Sequence, residues 1–201
     1  MSDLPTIRKR LATYTGNTFS PDRRTRQAAV AVVLREFSNG TEVLFIKRAI
    51  KPGDPWSGQM SFPGGHRDPT DSGLKAAAMR ETLEEVGLDL EGEAYLGALD
   101  HHWAAPRGRR LDMLIAPHVF EIEGDPPFEL NYEVDETVWA PLEPMVQNEL
   151  HDTETLSITG TPTVFNGYRL AGGHFVWGLT YRMLKDFFRT LDPGWAEVDR
   201  E

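Results

Sequence analysis

One stretch constrains this chain more than any other. Ser72 to Val86, SGLKAAAMRETLEEV, reads as a helix that carries three carboxylates on one side. Leu74, Ala77, Ala78 and Val86 fit the 3.6-residue period of a helix with an apolar face, Asp71 stands where a cap belongs, and Gly87 where a stop belongs. On such a helix Glu84 lies about 300° round from Glu81 and Glu85 about 40°, so the three carboxylates share an arc of roughly 100°. Like charges that close repel, and a cation among them is the usual remedy. Hard carboxylate oxygens suit Mg²⁺ or Mn²⁺. Taken alone, such a triplet is more often a solvated acidic face, but its context favours a site. Pro63-Gly64-Gly65 comes just before the helix, and two adjacent glycines let backbone approach a metal or a phosphate. Arg80, one turn before Glu84, can fix a carboxylate by a charge-assisted hydrogen bond.

The flanking pattern predicts strands wrapped between helices. AAVAVVLRE (28–36) and EVLFIKR (42–48) read as strands joined at Ser38-Asn39-Gly40, hence a hairpin. KPGDPWSG (51–58) is an ordered loop, and QMSF (59–62) a short strand running into the glycines. Strands are expected at about 93–101 and 111–122, around a loop with Arg107, Arg109 and Arg110. That loop is either a patch that steers a polyanion or merely solvated. GDPPFELN (124–131) is a further loop, and VDETVWAPL (134–142) is extended and then turns into a short helix. Residues 150–176 predict short strands with Gly turns, and VWGLTYRMLKDFFRTL (176–191) an amphipathic helix. Residues 1–27 form a helical or irregular lead-in and 192–201 an acidic tail. With no repeat and no linker, this is one α/β layered domain over 1–201, with its core at about 28–190.

Composition removes several function classes. At 201 residues the chain has the length of about one domain. Its 21 basic against 31 acidic residues give −10, which opposes binding to a phosphate backbone, so no nucleic-acid partner is expected. The absence of cysteine excludes disulfides, thiolate metal sites and a Cys nucleophile. No apolar run nears membrane-spanning length, and MSDLPTIRKRLATYTG lacks the apolar stretch of a signal peptide, so a soluble cytoplasmic protein with no membrane partner is expected.

GGHRDPTDSGLKAAAMRETLEEVGL resembles the Nudix box, G-x5-E-x7-R-E-U-x-E-E-x-G-U, with Gly65, Arg80, Glu81, Glu84, Glu85, Gly87 and Leu88 at matching positions. Asp71 replaces the first box glutamate, eight residues separate it from Arg80, and Thr82 replaces an aliphatic residue. The first two departures resemble the coenzyme A pyrophosphatase subgroup, as do Ser61-Phe62-Pro63-Gly64-Gly65, Asp68-Pro69-Thr70-Asp71 and Val176-Trp177-Gly178-Leu179-Thr180. Upstream, Leu44-Phe45-Ile46-Lys47-Arg48-Ala49 matches the start of the subgroup's other signature. Gly53-Asp54 stands where that signature has a second Arg.

The resemblance implies a Nudix-type α/β/α sandwich with a mixed central sheet. It also implies Mg²⁺- or Mn²⁺-dependent hydrolysis of a diphosphate linkage in a small nucleotide substrate. Coenzyme A or acyl-coenzyme A is the first-choice substrate, giving 3′,5′-ADP and (acyl-)4′-phosphopantetheine. ADP-ribose, another nucleoside diphosphate derivative or a nucleoside triphosphate comes next. A catalytically inactive nucleotide-binding module is the rival of another class. The implied metal ligands are Glu81, Glu84, Glu85 and the Gly65 carbonyl. Arg80 supports them, and Glu85 or a loop carboxylate activates water, with Glu133 preferred to Glu136. Arg48 and Gly64 are candidates for the substrate phosphates, and Trp103 or Trp56 for stacking on an adenine ring. His101-His102 is weak evidence for a metal. The subgroup resemblance allows a homodimer.

Overall fold

The computed structural model describes residues 2–22, 24–38, 40–54, 56–104, 112–157 and 160–197. Arg107, Arg109 and Arg110 lie outside the described residues. In chain order the elements begin with α1 (Leu4–Leu11), β1 (Arg26–Phe37), β2 (Gly40–Arg48), β3 (Met60–Ser61), β4 (Gly64–His66) and α2 (Leu74–Val86). Next come β5 (Ala94–Ala98), β6 (His102–Trp103), β7 (Met113–Ile122), β8 (Val134–Pro141) and α3 (Leu142–Val146). The chain ends with β9 (His151–Ser157), β10 (Pro162–Arg169), β11 (Phe175–Trp177) and α4 (Gly178–Leu191).

β1 is the axis of an eight-stranded mixed sheet. It pairs in parallel with β7 from Arg26–Met113 to Arg35–Ile122, and antiparallel with β2 and β4. A strand covered on both faces reads as a continuous apolar run, which is why 28–34 shows no polar alternation. Ala29, Ala31 and Val33 pack with Ala77, Ala78 and Val86 of α2. Ala28, Val32 and Leu34 face the opposite layer, with Ile7 of α1 and Leu184, Phe187 and Phe188 of α4. Helices on both faces of a mixed sheet make the expected α/β/α sandwich. Each large side chain buried by α4 contributes roughly 1.5–3 kcal/mol of transfer free energy. A separate antiparallel sheet, β9–β10–β11, packs against α4.

The edge of β1 that does not face β7 is shared. Ala28–Val30 pair with β4, and Leu34–Phe37 pair with β2. Ala31 N donates to Pro63 O at 2.8 Å between the two ladders. Beyond Val43 the ladder of β2 with β1 ends, and Ile46 and Lys47 of β2 pair with β3 instead. The two strands therefore part where Pro63 and β4 enter.

Three local expectations need correction. Asp71 does not cap α2: the N-cap is Gly73, with no side-chain cap bond. The Asp71 carboxylate is committed instead to Arg80 and to Asp68 N. Gly64–His66 is a strand rather than loop, because its backbone completes the edge of β1. Val176 and Trp177 form β11 with β10, so the last helix starts at Gly178. The described part of the acidic tail is docked: Trp195 Nε1 donates to Val146 O at 2.7 Å, and Glu197 accepts from Tyr181 and Lys185. Gly87 does end α2, at φ +72°.

Gly64 is where the backbone permits no side chain. Its φ is +147°, and a Cβ there would lie 2.3 Å from Ala29 O and 2.5 Å from Val30 Cα. We expect Gly64→Ala to destabilise the protein by about 2 kcal/mol or more. Gly73→Ala, where a Cβ would meet nothing within 4 Å, should stay within about 0.5 kcal/mol of wild type. Urea midpoints of the two variants make the comparison, and equal midpoints would contradict it.

Candidate active site

The parting of β1 and β2 opens a cavity of about 280 Å³. One side is polar, with Gly64, Gly65, His66, Glu81, Glu85, Arg48 and Glu133. The other is apolar, with Met60, Met113, Ile115, Leu179, Met183 and Trp56.

Glu85 is 2% exposed, and its Oε2 accepts from Gly64 N at 2.8 Å. Burial pushes its carboxyl up to about 7; the Gly64 N–H and Arg48 oppose that rise, while Glu81 and Glu133 add to it. Glu81 is raised too, again by burial first. A Cβ on Gly65 would lie 2.5 Å from Glu81 Oε2, so glycine is what lets this carboxylate rest against the backbone.

Arg80 links the parts. Its Nε and Nη2 each meet an Asp71 oxygen at 3.0 Å, and Nη2 also donates to His66 O at 2.8 Å. Nη2 lies 3.0 Å from Glu81, and Nη1 3.1 Å from Glu84. The Asp71 bond leads the causes that raise its guanidinium above its ordinary value. Asp71, nine positions before Arg80, is thus held on its guanidinium.

The three box carboxylates lie along one side of α2 without meeting at a point. Arg80 stands between Glu81 and the exposed Glu84, and Glu85 is turned to Gly64. No group of three acidic or imidazole side chains converges among the described residues. The donor set nevertheless fits a hard divalent cation. Two of its carboxylates are desolvated and raised, a condition that a bound cation relieves.

Arg48 reaches the cavity as expected, but Asp54 holds its Nη2 at 2.9 Å. Arg48 Nε is buried and has no hydrogen-bond partner. Glu133 also lines the cavity, bonded to Lys51 Nζ at 2.5 Å. The Lys51 ammonium, ahead of the Tyr132 hydroxyl, holds its carboxyl below the usual range. Glu136 does not line the cavity, and its carboxylate faces His174 Nε2 at 3.4 Å. Trp103 is a correction: it does not line the cavity, and its ring packs 6.0 Å from Phe19. β6 pairs Trp103 with Leu114, while the next residue of β7, Ile115, points to the cavity, so the pleat turns Trp103 away. His101 and His102 face separate partners, Phe19 N and Asp186.

Sequence reasoning missed the apolar wall and Lys51. Leu179 and Thr180 belong to the Trp177-Gly178-Leu179-Thr180 signature, so part of that wall had a signal. The methionines had none.

A model of the NUDIX domain matches residues 25–157. The chain belongs to the Nudix family. Nudix hydrolases act on pyrophosphate bonds and depend on divalent metals. Relatives of this Nudix chain include an uncharacterized fission yeast protein, C14C4.10c. The two are 36% identical over 143 residues, which is 61% of this chain and 44% of that one. The human mitochondrial coenzyme A diphosphatase NUDT8 is 30% identical over 175 residues, covering 85% of this chain and 72% of its own length. Among solved structures, a MutT/nudix family protein from Enterococcus faecalis superposes with a TM-score of 0.53 at 14% identity, covering 94% of this chain and 73% of that one. The binary complex of the C. elegans Ap4A hydrolase gives 0.50 at 21% identity, over 61% and 84% of the two chains. These two likenesses show the fold. Among the described residues no helix is long and apolar enough to cross a membrane.

The raised Glu85 carboxyl has a consequence for metal-free protein. Folded Glu85 binds its proton up to about pH 7, against 4.5 for its ordinary value. Its contribution to stability is complete below the lower value and is lost as pH rises through the upper one, on the order of 3 kcal/mol in all. Glu81 acts in the same direction. Glu85→Gln keeps an acceptor for Gly64 N–H, so it should flatten most of that slope. Urea midpoints of chelator-treated protein across about pH 5–8 test this; an equal slope in the variant would assign the titration to another group.

Proposed function

We propose that this chain hydrolyses the diphosphate of coenzyme A or its acyl derivatives, giving 3′,5′-ADP and (acyl-)4′-phosphopantetheine. The observation that carries the reading is the two-sided cavity. A nucleotide diphosphate fits its charged side, and the methyl and methylene groups of the long arm on the other phosphate fit its methionine-rich side. The similarity to a relative named as a coenzyme A diphosphatase over 85% of this chain supports it.

The roles follow from position. Glu81, Glu84, Glu85 and the Gly65 carbonyl are the proposed ligands of Mg²⁺ or Mn²⁺, which when bound neutralises phosphate oxygens and stabilises the leaving phosphate. Arg80 orients Glu81 and Glu84, and its anchors at Asp71 and His66 O fix it in turn. Gly64 holds Glu85 through its N–H and brings backbone to the phosphates. Arg48, which lines the cavity, offers a charge-assisted bond to a phosphate oxygen. Glu133 is the proposed acceptor for the proton of the attacking water, and Glu85 is the alternative. Both face the cavity, whereas Glu136 does not. An inactive binding module would not need all three box glutamates, and this chain retains them.

Two outcomes are expected. Incubation with coenzyme A and Mg²⁺ or Mn²⁺ should yield 3′,5′-ADP and 4′-phosphopantetheine by chromatography with mass detection. Turnover of ADP-ribose with none of coenzyme A or acyl-coenzyme A would refute the substrate. Glu84→Gln or Glu85→Gln should lower kcat at least about a hundredfold, roughly 2.7 kcal/mol of barrier, with the fold intact by circular dichroism. Near-normal turnover by Glu85→Gln would move the active site elsewhere.

A further inference from the structure

Beside Glu133, which lines the cavity, stands a largely exposed aromatic ring. Tyr132 is 81% exposed, yet it sits on well-anchored backbone. Asn131 N donates to Glu85 O at 3.0 Å, and Glu129 N to Val86 O at 2.9 Å, which tie this segment to the end of α2. Ala49 N donates to Glu133 O at 2.8 Å, which ties it to the end of β2. The ring itself is held: Lys51 Nζ lies 4.5 Å from its centroid, and the same ammonium bonds Glu133 in the cavity wall. A ring this exposed keeps a face open, and a ring already oriented loses little freedom when a ligand stacks on it. Trp56, which lines the cavity, packs against the hydrophobic core.

We propose that Tyr132 is the stacking platform for the heterocyclic base of the substrate, with Lys51 backing the ring from its other face. The inference rests on the reading that the cavity takes a nucleoside diphosphate. Glu133 lines the cavity and Tyr132 is the residue just before it. A diphosphate on the charged side therefore brings a 5′-linked ribose and base out to the Tyr132 ring. Stacking is tolerant of base identity, so the platform favours nucleotides over bare diphosphates without choosing among bases. Tyr132 appears in no motif of the box, and the sequence alone gave it no role.

The test is equilibrium binding of ADP and of inorganic pyrophosphate, both with Mg²⁺, to wild type, Tyr132→Ala and Tyr132→Phe. Wild type should bind ADP about tenfold more tightly than pyrophosphate. Tyr132→Ala should lose most of that preference through a higher Kd for ADP, with little change for pyrophosphate. Tyr132→Phe should keep it, which separates the ring from the hydroxyl that touches Glu133. A wild type without the preference, a Tyr132→Ala that retains it, or a Tyr132→Ala that weakens both ligands equally would each overturn the proposal. Coenzyme A hydrolysis does not enter the measurement, so a failure of that substrate would show in the product analysis and leave this comparison standing.

Discussion

The Arg80 guanidinium ties the segment before α2 to the helix itself. It reaches Asp71 and His66 O in the segment before α2, and Glu81 and Glu84 on the helix itself. A planar fork with five donors can satisfy so many acceptors in fixed directions, and a lysine cannot. Without this cation, Asp71, Glu81 and Glu84 would repel one another at one end of the site. With it, the loop is drawn onto the helix and Gly65 comes to rest against the Glu81 carboxylate.

That approach dictates the rest of the local backbone. Gly64 and Gly65 are pressed between β1 on one side and the glutamates on the other, so neither has room for a side chain. Gly64 N–H then points at Glu85, the one box carboxylate that is fully buried. A buried carboxylate with a single neutral donor is poorly solvated, and its proton affinity rises accordingly. The site is thus built at a local cost in stability, which the apolar layers on both faces of the sheet offset. Such a group has most to gain from a cation.

The apolar wall arises from a different constraint. β1 cannot pair with β2 and β4 along its whole length on a single edge, so the two ladders divide it. The gap is lined by side chains from the layer that α4 covers, with Met183 and Leu179 from the helix and Met113 and Ile115 from β7. One parting of strands therefore gives the cavity its charged end and its apolar end.

The sequence by itself determined the box helix, its three carboxylates, the glycine approach and the α/β class. These rest on local rules: helical period, charge spacing and glycine's freedom are properties of a few neighbouring residues. It also marked Arg48, Glu133 and the segment at Leu179–Thr180, all of which line the cavity. Only the tertiary structure decided which loop acid faces the site, because Glu133 and Glu136 differ by a register that depends on how β8 pairs with β2. Only it turned Trp103 away, through the pleat of β6 against β7. It also brought Asp54 onto Arg48 and Lys51 onto Glu133. Long-range pairing sets such contacts, and no short stretch of sequence carries the information. The methionine wall is legible only once strands and helix from distant parts of the chain stand face to face.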